Sequence, residues 1–106
     1  MKAPVLLGLF KRIEDIEREF ECQISSDISI IFAQYDIDGY EGDAHVVYEQ
    51  AGKLYEVYGG HCSCYGLEGQ WLPEKTMIDA IKMRKHPYRY ELNTALDAWF
   101  NLEKVQ

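Results

Sequence analysis

The stretch that most constrains this chain runs from Ala44 to Tyr58. Two alternating runs, Ala44 to Gln50 and Lys53 to Tyr58, are joined by Gln50-Ala51-Gly52-Lys53. Alternation of side-chain character marks strands, and Gly52 supplies the positive φ that a tight hairpin turn needs. His45, Val47 and Glu49 share one face of the first strand, opposite Ala44, Val46 and Tyr48. On the second strand Leu54, Glu56 and Tyr58 alternate with Tyr55 and Val57. Such a hairpin cannot stand alone in water; it needs further strands and a covering layer.

The flanking sequence provides both. Ser25-Ser26-Asp27 signals a turn, and Ile28 to Tyr35 is rich in β-branched and aromatic residues, a third strand. Ile28, Ile30 and Phe32 are expected on one face, with Ile31, Ala33 and Tyr35 on a second that is nearly as apolar. Residues 9–21 repeat Leu9, Ile13, Ile16 and Phe20 at helical spacing, with Ile24 one turn on and Glu14–Arg18 as an i,i+4 pair. Leu72-Pro73-Glu74 reads as entry to a second helix, carried by Met77, Ile78 and Ile81 to Lys85 and stopped by His86-Pro87. A third covers Arg89 to Glu103, with Leu92, Ala95, Leu96, Trp99 and Leu102 inward. The expected fold is α+β: a three-stranded or slightly larger antiparallel sheet packed on one face against two to three helices. At 106 residues this makes a single domain, residues 1–106.

The formal net charge is -7, from 18 acidic and 11 basic residues, which argues against direct binding to nucleic acid or to an anionic membrane. No run approaches the roughly 18 apolar residues of a membrane span. The opening ten residues have a weak signal-peptide character, but Pro4 interrupts the apolar run and Lys11, Arg12, Glu14 and Asp15 follow at once. A cytoplasmic protein is the expectation. Between Glu19 and Gly52 there is no Lys or Arg, while Lys82, Arg84, Lys85 and Arg89 gather late. Most such runs are solvated surface; the alternative is an acidic face made for a basic protein.

Asp36-Ile37-Asp38-Gly39-Tyr40-Glu41-Gly42-Asp43 reads as a loop with Gly39 and Gly42 at turn positions. It is no EF-hand, because Glu41 and Val47 stand where that loop needs Gly and Glu, though its carboxylates could hold a hard cation weakly. Asp36, Asp38, Tyr40, Glu41 and Asp43 are the candidate interaction residues, since tyrosine beside acid suits a protein-binding patch.

The second candidate is Gly59 to Trp71, which gathers His61, Cys62, Cys64, Tyr65, Gly66, Gly69 and Trp71. His61, Cys62 and Cys64 offer an imidazole and two thiols that suit zinc, with Cys22, His45, His86 or a carboxylate as fourth ligand. The one-residue spacing and the lack of a second cysteine pair argue against it, so no cofactor is expected, with zinc the alternative. Thiol catalysis would use Cys62 or Cys64 with His61 or His45 as base. His45 is the better placed, because neighbours in sequence rarely face each other. A redox pair is disfavoured, the motif being Cys-x-Cys rather than Cys-x-x-Cys. The plainer expectation is architecture: Cys62 and Cys64 buried, Tyr65 and Trp71 closing over a helix layer. Cys22 reads as a small buried hydrophobe, and three cysteines cannot all pair within one chain.

The run from His61 to Trp71, followed by Pro73-Glu74, resembles a motif that recurs in small proteins of phages and prophages. Asp38 to Asp43 and Gly52 to Val57 are similar to the same group, so the resemblance spans about residues 35 to 82. That group has no assigned activity, and the resemblance implies origin rather than chemistry. Small acidic phage proteins often bind host proteins, defence nucleases included. The functional expectation is therefore stoichiometric binding to a host defence or nucleic-acid-processing protein, mimicry of a phosphate backbone being one version. The rival is a metal-binding or cysteine-dependent enzyme built on His61, Cys62 and Cys64.

Overall fold

The computed structural model describes residues 3–101. Its order is β1 (Val5–Gly8), α1 (Ile13–Phe20), β2 (Ile28–Asp38), β3 (Glu41–Gln50), β4 (Lys53–His61), β5 (Glu74–Thr76), α2 (Ile78–Met83) and α3 (Arg89–Trp99). The α+β class holds, but the sheet is five-stranded and mixed, in the order β1-β2-β3-β4-β5. The β2–β3–β4 meander is antiparallel as expected. Two strands extend it.

The first is β1, parallel to β2 with Val5 opposite Phe32 and Gly8 opposite Tyr35. Parallel neighbours need a crossover, and α1 provides it. The expected helix over 9–21 therefore starts later, at Ile13, and Leu9 is exposed. Gly8 sits at φ +68, and a Cβ there would lie 2.2 Å from the Tyr35 carbonyl oxygen; only glycine lets the chain turn off the sheet so closely. Asp15 then caps α1 from within, accepting the Lys11 and Arg12 amides at 2.8 and 3.0 Å. Arg18 reaches Asp15 at 2.9 Å rather than Glu14.

The second is β5, which takes the place of the expected helical entry at 72–76. Beyond Lys53, β4 would be an open edge, and Glu74–Thr76 pairs with it from Leu54 to Glu56. The helix is confined to Ile78–Met83, and Met77 is exposed ahead of it rather than inward.

Helices cover both faces, not one. Ile16 and Phe20 of α1 join Phe10, Ile30, Ala33, Tyr35, Val46, Val57 and Leu67 in one core. Ile81 of α2 and Leu92, Ala95, Leu96 and Trp99 of α3 pack on Ile31, Phe32, Val47 and Leu54 in the other. Leu102 and the rest of the expected helix end lie outside the described residues. A β-bulge between Ile30 and Phe32 explains why Phe32 shares a face with Ile31 instead of with Ile30: the extra residue inverts the alternation downstream.

The β3–β4 turn has both central residues left-handed, Ala51 at φ 53 and Gly52 at φ +77, as a type I′ turn requires. Ala51 is exposed and is the wrong residue for that conformation. Ala51→Asn is expected to stabilise the fold by about 1 kcal/mol, read as a higher urea midpoint with an unchanged slope.

Candidate functional site

The acidic segment is a hairpin rather than a loop. Strands run to Asp38 and resume at Glu41, with Gly39 at φ +66 in the turn. Gly42 is a strand residue, not a turn residue: it pairs with Ile37 and His61, and a Cβ would meet the Asp36 carbonyl oxygen at 2.6 Å. Asp36 lies directly opposite Asp43, and Asp38 opposite Glu41. Strand periodicity puts all four carboxylates on one face, where they line a shallow cleft. Tyr40 stands at the tip, 78% exposed. The five candidate interaction residues are thus brought together.

The same face continues into a buried polar network that joins the sheet to the α2–α3 connection. His45 on β3 stacks on Tyr58 of β4, with ring centroids 4.4 Å apart and planes 5° from parallel. Its Nε2 lies 2.9 Å from Glu56 Oε2 and its Nδ1 3.0 Å from His86 Nε2. Glu56 also accepts from Tyr58 Oη at 3.0 Å and from Arg84 Nη1 and Nη2 at 2.9 and 2.5 Å. His86 Nδ1 accepts the Tyr88 amide at 3.0 Å. Tyr88 Oη donates to Asp36 at 2.5 Å, tying the network to the acidic row. Gln34 Nε2 reaches Asp36 Oδ2 and the Asp43 carbonyl oxygen at 3.1 and 3.2 Å.

One proton per hydrogen bond sets the tautomers. His86 Nδ1 accepts, so a neutral His86 carries its proton on Nε2 and donates to His45 Nδ1. His45 then carries its proton on Nε2 and donates to Glu56. The chain Tyr88 amide, His86, His45, Glu56 is unidirectional and ends on an anion. Burial alone would raise the Glu56 carboxyl, but donors from His45, Arg84 and Tyr58 outweigh it and hold the group at about 2. Burial, with the Glu56 carboxylate beside it, pushes Tyr58 up to about 12. Burial, followed by the neighbouring His45, lowers His86. Sequence reasoning assigned no role to Glu56, Tyr58 or Arg84. The available signal was Glu56 itself, a carboxylate alternating in phase with Leu54 on a core-facing strand.

The cysteine stretch is placed elsewhere. His61 follows Val57 and Gly59 on the α1 side of β4, with its ring 6.4 Å from that of Tyr35, whereas His45 faces the α2–α3 side. The pairing of His45 with the thiols as catalytic base is therefore not formed. His61 Nδ1 is buried with no hydrogen-bond partner among the described residues. Cys64 is exposed and Cys62 half-buried, which corrects the expectation that both fill the core. Tyr65 is exposed too. Trp71 does close over the helix layer, edge-on to Phe20 at 5.2 Å and stacked on Tyr48 at 5.9 Å, and the fully buried Leu67 packs where Tyr65 does not. Gln70 closes the loop by standing in for a strand: its amide exchanges hydrogen bonds with Gly60 N and O at 2.7 and 2.8 Å. Cys22 is half-buried beside the α1 core, its thiol raised by burial. Gly42 pairs with His61, so the cysteine turn adjoins the base of the acidic hairpin.

Among the described residues no three His, Cys, Asp or Glu side chains form a group able to hold a metal ion, and no helix is long and apolar enough to cross a membrane. No protein-family model, curated protein or solved structure matches the chain.

Proposed function

We propose that this chain is a small cytoplasmic binding protein whose acidic hairpin face docks stoichiometrically on a basic surface of another protein. The observation that carries the reading is the pairing of Asp36 with Asp43 and Asp38 with Glu41 on one face, beneath the exposed Tyr40. Like charges directly opposed across a strand pair are destabilising. Lys and Arg side chains from a partner relieve that repulsion, and Tyr40 supplies an aromatic anchor of the kind that dominates interface energetics. The partner proposed is a host defence or nucleic-acid-processing protein, an expectation that comes from the resemblance of 61–71 to small phage and prophage proteins and from no residue of the hairpin itself. The rival, an enzyme or metal protein built on His61, Cys62 and Cys64, is less well supported, because His45 lies on the opposite face of the sheet.

The test uses Asp38→Asn/Glu41→Gln/Asp43→Asn, sparing Asp36 because it anchors Tyr88. A partner captured from bacterial lysate on the wild-type chain is purified and titrated with both forms. The variant is expected to bind at least ten-fold more weakly, with a steeper loss at low salt, and to melt slightly higher than wild type. Equal affinity of the two forms would overturn the reading.

A further inference from the structure

We propose that Cys62 and Cys64 form a peroxide-responsive dithiol, Cys62 being the thiol that is oxidised first and Cys64 the one that resolves it into a disulfide. Their spacing in sequence argues against a redox pair; their conformation argues for one. Cys62 and Tyr65 form an isolated antiparallel bridge, with reciprocal backbone hydrogen bonds of 3.0 and 3.2 Å, so Ser63 and Cys64 are the central residues of a tight turn. The Cys64 amide donates to Cys62 Sγ at 3.4 Å. The first sulfur is therefore held against the residue whose own sulfur must reach it.

Three further features suit the reaction. Cys64 is exposed and Cys62 half-buried, so a small hydroperoxide can enter. The amides of Cys64 and Tyr65 favour the thiolate of Cys62 and lower its pKa against the opposing effect of burial. Cys22 is the internal contrast: burial, followed by Glu17, raises it. The thiolate of Cys62 attacks one oxygen of hydrogen peroxide, the O–O bond breaks and hydroxide leaves, giving a sulfenic acid. The Cys64 thiol then attacks Cys62 Sγ, the S–O bond breaks and the departing hydroxide takes the Cys64 proton as water. Two electrons pass from the thiol pair to the peroxide. A disulfide across one residue is strained, and strained exposed disulfides are the readily reduced ones, so a small dithiol reductant returns it to two thiols, the reductant itself being oxidised to a disulfide.

The experiment treats the untagged, reduced protein with hydrogen peroxide near neutral pH and follows intact mass and peptide mapping. The expected product is a monomer with a Cys62–Cys64 disulfide and free Cys22, formed at least ten-fold faster than in the same chain unfolded in urea. Cys64→Ser should accumulate a sulfenic acid at Cys62 that a 1,3-dione traps, and Cys62→Ser should not accumulate one at Cys64. Oxidation of Cys62 no faster than that of Cys22, a bond to Cys22, or only intermolecular bonds would overturn the proposal, and mapping the wild-type chain decides this without any variant.

Discussion

Replacing Glu56 by alanine is expected to cost about 3 kcal/mol of stability and to lower the melting temperature by roughly 10 to 20 °C. Glu56 is 4% exposed and takes hydrogen bonds from His45, Tyr58 and both terminal nitrogens of Arg84. Alanine leaves the buried His45 Nε2 without its acceptor and strips Arg84 of its counter-ion. The two losses differ in size. His45 cannot reach water, whereas the Arg84 side chain is 41% exposed and can swing out, which keeps the total at the lower end of what breaking a buried ion pair costs. Arg84→Ala should accordingly cost less than Glu56→Ala. The double variant should cost less than the sum of the two, because both changes break the same hydrogen bonds. Urea midpoints of the three variants test this. A Glu56→Ala change worth under about 1 kcal/mol would mean that packing of α3 alone holds the α2–α3 layer.

This network also shows which parts of the fold are legible in the sequence. The β3–β4 hairpin is legible because alternation and turn chemistry are local: alternation puts His45 in phase with Val47 on one strand and Leu54, Glu56 and Tyr58 in phase on the next, and the turn sets the register that brings the two sets onto one face. The partners Arg84 and His86 come from a separate element, and nothing in their own neighbourhood announces where they dock. The bulge at Ile30/Phe32 is hidden because Ile31 and Phe32 are apolar whichever face they take. The strand β1 depends on a parallel pairing with residues far along the chain, and β5 exists because β4 has an edge to cover. The acidic hairpin reads as a loop in the sequence because Asp and Gly have low strand propensity; register with β4 through Gly42 and His61 overrides that preference. Gly59 serves packing: a Cβ there would lie 2.9 Å from Leu67 and 3.1 Å from Phe20.

Acid should unfold the protein in two steps, each with its own residue. In the fold His86 is shifted down by burial, and its Nδ1 is committed to accepting the Tyr88 amide. The unfolded chain therefore takes up that proton first, and stability falls as pH drops below about 6.5. Asp43 and Glu56 oppose the shift, while His45 and Arg84 reinforce it. Glu56 moves the other way relative to its charge: its folded value of about 2 lies below the ordinary 4.5. Its contribution is complete above about 4.5 and disappears as pH falls to about 2, on the order of 3 kcal/mol at about 1.4 kcal/mol per unit. Asp15 and Asp27, both lowered by hydrogen bonds, add to the second step. His86→Gln should remove the first step and leave the second. Glu56→Gln should be less stable than wild type at pH 7, and the two should converge as pH approaches 2, where the wild-type carboxyl is itself half neutralised. Unfolding free energies measured in urea from pH 7 to pH 2 decide it: a gap between wild type and Glu56→Gln that stays constant across that range would show that the charge of Glu56 does not hold the α2–α3 connection to the sheet.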